Sequence, residues 1–228
     1  MKRALLERMV AIQRAARAAV LVRDLTSGEQ FLLDEAGDAP DGAPAAIVEE
    51  ARLALRRDGA STLEHDGHRY LVQTLSPPYK LIVIGAVHIA QALIPMAQLA
   101  GFKVLLIDPR AAFASAERFP GVEVDNRWPQ EALADVELTS RTAVVTLSHD
   151  AKIDEPALTA ALRSESFYIG ALGSRKNHAK RSERLAAAGF GEAEIARIAG
   201  PVGLPLGGRA PAEIAVSILA QIIQARYA

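Results

Sequence analysis

From Lys80 onward the chain alternates short apolar, β-branched runs with stretches of helical period, and few architectures accommodate that rhythm. The runs are Leu81–Ile84, Val104–Ile107, Val122–Val124, Ala143–Thr146 and Phe167–Ile169. Helical patterns at Ala86–Ala100, Ile153–Leu162 and Ser174–Ala188 separate several of them. Strands that are apolar on both faces and alternate with helices predict a parallel sheet covered on both sides. A closing helix over Ala212–Arg226 carries Ile214, Ile218, Leu219 and Ile222 at core-facing spacing. The expected fold class is α/β, with a doubly wound parallel sheet.

The first 76 residues read differently. Ala18–Val22 and Gln30–Leu33 predict two short strands around a "TSGE" turn, and "DEAGDAPDGAP" from Asp34 to Pro44 predicts a loop. Ala45–Arg57 has the helical period. "STLEHDGHRYLVQTL" predicts a hairpin turning at Asp66-Gly67, a dipeptide that tolerates the positive φ such turns demand. The prolines of "SPPY" (Ser76 to Tyr79) stiffen a connection and mark the boundary. The expected organisation is a small N-terminal α+β unit over 1–76 and the doubly wound domain over 77–228.

Half of the 228 residues are apolar, enough for a packed core, and the net charge is −1. No basic excess points to nucleic acid or to an anionic membrane. Cysteine is absent, which excludes disulfides, thiolate metal sites and cysteine nucleophiles. The start, "MKRALLERMVAIQRAARAAV", interrupts any leader-like apolar core with Glu7, Arg14 and Arg17, and no stretch reaches the roughly 18 apolar residues of a membrane span. A cytoplasmic protein is expected.

"KLIVIGAVHIAQAL", Lys80 to Leu93, has the strand–turn–helix form of a dinucleotide-binding turn, which makes the expected sheet Rossmann-like. Gly85 suits the tight turn and Ala90 the close helix–strand contact. Val87 stands where the fingerprint wants a glycine for the pyrophosphate. Asp108, 23 residues beyond Gly85, ends the second strand where an acidic side chain would take a ribose; Arg110 beside it offers an alternative partner. His88, near a helix N-terminus, is either a ligand contact or a packed surface residue.

Ligands of such sheets bind at the carboxyl ends of the strands. "TLSHDAKID" places Ser148, His149, Asp150, Lys152 and Asp154 there. His149 and Asp150 are candidates for ligand binding or acid/base work, and Asp154 is a candidate helix cap ahead of Pro156. In "YIGALGSRKNHAKR", Gly170 and Gly173 would let the backbone approach a ligand, Ser174 would cap the next helix, and Arg175 and Lys176 would stand at its mouth. That combination describes an anion site, or else a solvent-facing basic helix start. In "GPVGLPLGGRAPAEIAVSI", Arg209 again precedes a helix opened by Pro211.

Together "VIGAVHIAQAL", "IDPRAAFASAERFPG", "AVVTLSHDAKIDEPAL", "FYIGALGSRKNHAKR" and "GPVGLPLGGRAPAEIAVSIL" resemble the XdhC/CoxI family from about Pro78 to the C-terminus. These are accessory factors of xanthine dehydrogenase and carbon monoxide dehydrogenase. The resemblance implies a non-catalytic chaperone that binds the molybdenum cofactor (molybdopterin) and assists its sulfuration and insertion into a molybdenum hydroxylase. A cysteine desulfurase or sulfurtransferase would be a second partner, and a homodimer is a further expectation. Gly85, His88 and Asp108 would line one side of the cleft, with His149 and Asp150 in the middle. Gly170, Gly173, Ser174 and Arg175 would hold a phosphate, and Arg209 would close the far side. No catalytic residue and no resident metal are expected. Fuller family members carry a cysteine segment that is absent here. The alternatives are an NAD(P)-dependent oxidoreductase using His149, and an interaction module that holds no cofactor.

Overall fold

A computed structural model describes residues 3–15, 17–34, 39, 42–56 and 58–228. The chain divides into two compact units, Met1–Pro77 and Pro78–Ala228.

In the first unit, helix α1 (Arg3–Arg14) precedes strands β1 (Ala19–Asp24) and β2 (Gln30–Asp34), helix α2 (Ala45–Arg56), and strands β3 (Ala60–His65) and β4 (His68–Leu75). The four strands form one antiparallel sheet in the order β2-β1-β4-β3. Successive side chains of β1 point to opposite faces. Val20 and Val22 pack with Ile47 and Ala51 of α2, whereas Ala19 and Leu21 pack with Ile12 of α1. β1 is apolar throughout its first four residues because both of its faces are covered. The β3–β4 turn has positive φ at Asp66 (49°) and Gly67 (77°), as the dipeptide predicts. Most of the loop expected over Asp34–Pro44 lies outside the described residues, as does Arg57 at the end of the predicted helix. Helix α1 has no counterpart in the sequence reading, which weighed the first residues only as a leader.

The second unit holds six strands: β5 (Lys80–Ile84), β6 (Lys103–Ile107), β7 (Glu123–Asp125), β8 (Thr142–Thr146), β9 (Tyr168–Ala171) and β10 (Ile198–Ala199). All pair in parallel, in the order β10-β9-β8-β5-β6-β7. The chain runs outward from β5 to β7, then restarts beside β5 at β8 and runs the other way. That is the doubly wound Rossmann order, with its switch point between β5 and β8. Leu81 and Val83 pack under helices α3 (His88–Leu99) and α8 (Pro211–Arg226). Ile82 and Ile84 face helix α4 (Pro129–Ala132) with its 3-10 extension, α5 (Ala151–Leu162) and α6 (Arg175–Ala187). The expected α/β fold is therefore present. The short elements α4, α7 (Glu192–Ile195) and β10 go beyond the sequence reading, since two to four residues are too few to show a period. No described helix is long and apolar enough to cross a membrane.

Candidate functional site

Four helices of twelve residues or more, α3, α5, α6 and α8, begin at the carboxyl edge of the parallel sheet, and their first turns differ in charge. α5 is capped by Asp150, whose carboxylate accepts from the Lys152 amide at 2.9 Å. Glu213 folds back on the start of α8 and accepts from the amides of Arg209 (2.8 Å) and Ala210 (3.0 Å). The absent side chain of Gly208 makes this possible, because a Cβ there would lie 2.5 Å from the Glu213 Cβ. Neither α3 nor α6 has an acidic residue in its first turn. Ser174 caps α6, accepting from the Asn177 amide at 3.2 Å, as the sequence predicts. The positive ends of α5 and α8 thus carry carboxylates from the chain itself, and those of α3 and α6 do not.

The β5–α3 turn is closed from within. Gly85 has φ 106°, and a Cβ there would stand 2.8 Å from the Ser148 amide nitrogen, so glycine is required both for the turn and for the passage of the β8–α5 loop. Asp108 is fully buried. Its Oδ2 accepts from the Ala86 amide (2.7 Å) and from Arg110 Nη2 (2.8 Å), and its Oδ1 accepts from the Arg110 amide and Nε (both 2.9 Å). Burial pushes this carboxyl up, but the Arg110 and Ala86 donors outweigh it and hold it below the ordinary value. With four donors on its two oxygens, Asp108 ties the turn to β6 and has little capacity left for a ribose. Arg118 reinforces the turn, donating to the Ala86 carbonyl at 3.1 Å and to Gln91 Oε1 at 3.0 Å. Val87 packs partly on the core, and His88 is exposed.

On the other side of the switch point a cavity of about 230 Å³ opens between the starts of α5 and α6. Its lining includes His149, Asp154, Asn177, Lys180, Arg181 and Arg184. Arg181 is 6% exposed; its Nη2 donates to the Leu172 carbonyl at 2.8 Å, while its Nη1 has no hydrogen-bond partner. Burial lowers its pKa, and the carboxylates of Asp154 and Glu155 offset part of that. Among the described residues no carboxylate lies within ion-pair distance of Arg181. Asp154 is 2% exposed and accepts from the Ser148 amide (3.2 Å) and hydroxyl (2.7 Å). Burial pushes its carboxyl up, against the Ser148 bonds and the field of Arg181. Arg184 pairs with Glu155 at 2.5 Å. His149, with φ 63°, is a left-handed residue at the cavity mouth.

Several sequence readings change here. The cap of α5 is Asp150 rather than Asp154, because the helix starts at Ala151, two residues earlier than its apolar pattern; Pro156 then falls inside the helix. Gly170 is a buried residue of β9. A Cβ there would meet Val202 at 2.6 Å and the Tyr168 ring at 2.9 Å, so its small size serves packing rather than approach to a ligand. Gly173, at φ 142°, lies in the loop between β9 and α6, outside the cavity lining. Arg175 and Arg209 are both exposed, and neither lines the cavity. The sequence reading passed over Arg181, although it stands four residues before the buried Leu185 and hence on the inward face of α6. No described cluster of His, Asp or Glu could hold a metal ion.

The family model of the XdhC Rossmann domain matches residues 81–222. A probable xanthine dehydrogenase subunit of Bacillus subtilis is 32% identical over 159 residues, 68% of this chain and 45% of that protein. The molybdenum cofactor insertion chaperone PaoD of Escherichia coli is 36% identical over 95 residues, 42% of this chain and 30% of that protein. The chain thus spans less than half the length of either curated relative. A crystal structure described as a xanthine dehydrogenase from Bacillus halodurans superposes with a TM-score of 0.71 at 25% identity, covering 98% of this chain and 64% of that one. Since the family match takes in nearly all of the sheet from β5 to the last buried residue of α8, Ile222, the chain belongs to the XdhC Rossmann-domain family.

Proposed function

We propose that this chain binds the molybdenum cofactor as cargo, seats its phosphate in the α5–α6 cavity, and assists its insertion into a molybdenum hydroxylase. One observation carries the reading: Arg181, almost fully buried, is part of the cavity wall, and its guanidinium keeps one buried nitrogen, Nη1, without a partner. A buried donor without a partner costs about 1–3 kcal/mol, and an anionic ligand would recover that as a charge-assisted hydrogen bond. Lys180 and the capped but acid-free start of α6 add positive potential on the same side. Gly173, Ser174 and Arg175, in the loop and first turn that lead into α6, would add to that potential from outside the cavity lining. His149 would contact the ligand at the cavity rim. The relatives named for xanthine dehydrogenase and for cofactor insertion point to the same class of cargo. Supplying the sulfur by a sulfurtransferase and action as a homodimer are further parts of this proposal.

Asp108 and Gly85 act in it as the frame of the turn, and Asp150 as a helix cap. The competing dinucleotide reading needs an acceptor for the ribose, and the Asp108 carboxylate already holds four donors. Molybdopterin incubated with the chain should co-elute on gel filtration, and Arg181→Met should reduce retention at least about tenfold, the loss of one charge-assisted bond. Undiminished retention by Arg181→Met would remove the phosphate assignment. Micromolar binding of NADH by calorimetry would favour the oxidoreductase instead.

A further inference from the structure

We infer that the α5–α6 cavity takes up a tetrahedral oxyanion together with one proton, and that the proton resides on Oδ2 of Asp154. The inference rests on the reading of this cavity as the cargo's anion site and adds how the site is regulated. Asp154 lines the same cavity as Arg181 and is almost as deeply buried. Both hydrogen bonds from Ser148 fall on Oδ1. No donor among the described residues reaches Oδ2, so that oxygen is the one available to a ligand. Ser148 is held in place, its hydroxyl also accepting from the Asp150 amide at 3.1 Å.

Other charges also face the site. Glu155 and His149 come from α5 and the loop before it, and Lys180, Arg181 and Arg184 come from α6, while Asp150 caps α5 outside the lining. The guanidinium of Arg110 is within electrostatic reach from the β6 side. Glu155 is held by Arg184. Asp154 has only hydroxyl and amide donors, and burial already favours its neutral form. A dianion placed beside it brings two negative groups into one poorly hydrated space, which a proton taken up between them relieves; with sulfate, a far weaker base than a carboxylate, that proton goes to Asp154. The balance is simple: carboxylate, solvent proton and oxyanion give a carboxylic acid that donates from Oδ2 to the oxyanion, and no other bond changes. Affinity then falls by about tenfold per pH unit wherever the free carboxyl is ionised and the bound one is not. Cargo would be held where the proton is available and released as Asp154 ionises.

Sulfate is the probe, because it stays a dianion across the range and contributes no titration of its own. Calorimetry of the full chain at about pH 6 and about pH 8, in buffers of different ionisation heat, should show close to one proton taken up per sulfate, and weaker binding at the higher pH. Asp154→Asn should bind sulfate without proton uptake, and more tightly than the parent at the higher pH. His149→Gln, which removes a rim contact, should weaken binding but keep the proton uptake per sulfate bound. Should Asp154→Asn fail to fold, the carbon-13 carboxyl resonance of Asp154 in the parent must move toward the protonated value when sulfate is added. Sulfate binding with no proton uptake, or uptake lost in His149→Gln but kept in Asp154→Asn, overturns the inference and leaves the anion site standing. No binding of sulfate to the parent chain removes both.

Discussion

The two halves of the carboxyl edge handle an arginine and an aspartate in opposite ways. At the β5–α3 turn, Arg110 and Asp108 are locked together, and the carboxylate also takes the amide that starts the turn. Between α5 and α6, Arg181 and Asp154 share a cavity without an ion pair, and each keeps a polar atom that no protein group engages. Both arrangements remove charge from water, which costs free energy unless partners compensate. The turn has its compensation built in and serves as structure. The cavity lacks it, and an uncompensated buried cation is where a ligand gains most. A doubly wound sheet can thus close its usual nucleotide turn from within and leave an open, charged cavity at a different loop pair.

The largest effect that would test this contrast is at Gly85. Gly85→Ala places a Cβ 2.8 Å from the Ser148 nitrogen at a φ of 106°, and should lower stability by about 3 kcal/mol in denaturant titration. Because that Cβ would displace Ser148, whose amide and hydroxyl donate to Asp154, sulfate affinity should fall with it. Next come the two arginines. Arg110→Met leaves Asp108 buried with amide donors only and should cost about 2 kcal/mol; Arg181→Met, removing a guanidinium that is not ion-paired, should change stability by less than about 1 kcal/mol. Equal losses in both variants would erase the distinction between a structural and a ligand-seeking arginine.

Val87→Gly should cost about 1 kcal/mol through lost packing and a more mobile backbone. It restores the glycine of the fingerprint, yet calorimetry should detect no gain in NADH binding, because Asp108 remains engaged. The smallest effects lie in the pH dependence of stability, where the two aspartates act with opposite sign. Asp108 is held below its ordinary value, so its contribution is present above the usual carboxylate range and is lost as pH falls through its folded value. Asp154 is held above, so its contribution is complete at acid pH and is lost as pH rises through its folded value. Asp154→Asn should therefore gain stability relative to the parent as pH rises, and Asp108→Asn should lose it. Thermal unfolding followed from acid to neutral pH reads both.

How far the fold could be read in advance follows from element length. Four-residue apolar runs such as Leu81–Ile84 and twelve-residue helices such as α5 repeat their period often enough to be seen, whereas β10, with two residues, does not. Helix starts were less legible. The apolar pattern of α5 begins at Ile153 while its cap is Asp150, because the first turn of a helix at a sheet edge faces loops rather than core. Among site residues, Ser174 was readable as a cap from its own chemistry. Gly170 was misread because glycine in a turn and glycine under a valine look alike in sequence. Arg181 lay among basic residues, and only its spacing from Leu185 hinted that it points inward.

What the sequence determined by itself is the doubly wound sheet, the Asp66-Gly67 hairpin and the family, since all three rest on local periodicity, turn chemistry or contiguous motifs. Only the tertiary structure decided that Asp108 belongs to Arg110 and that Arg181 and Asp154 meet at one cavity. Those outcomes depend on burial and on which donor reaches which oxygen. Arg181 and Asp154 stand 27 residues apart, on different helices, and come together only when β8 and β9 pair side by side.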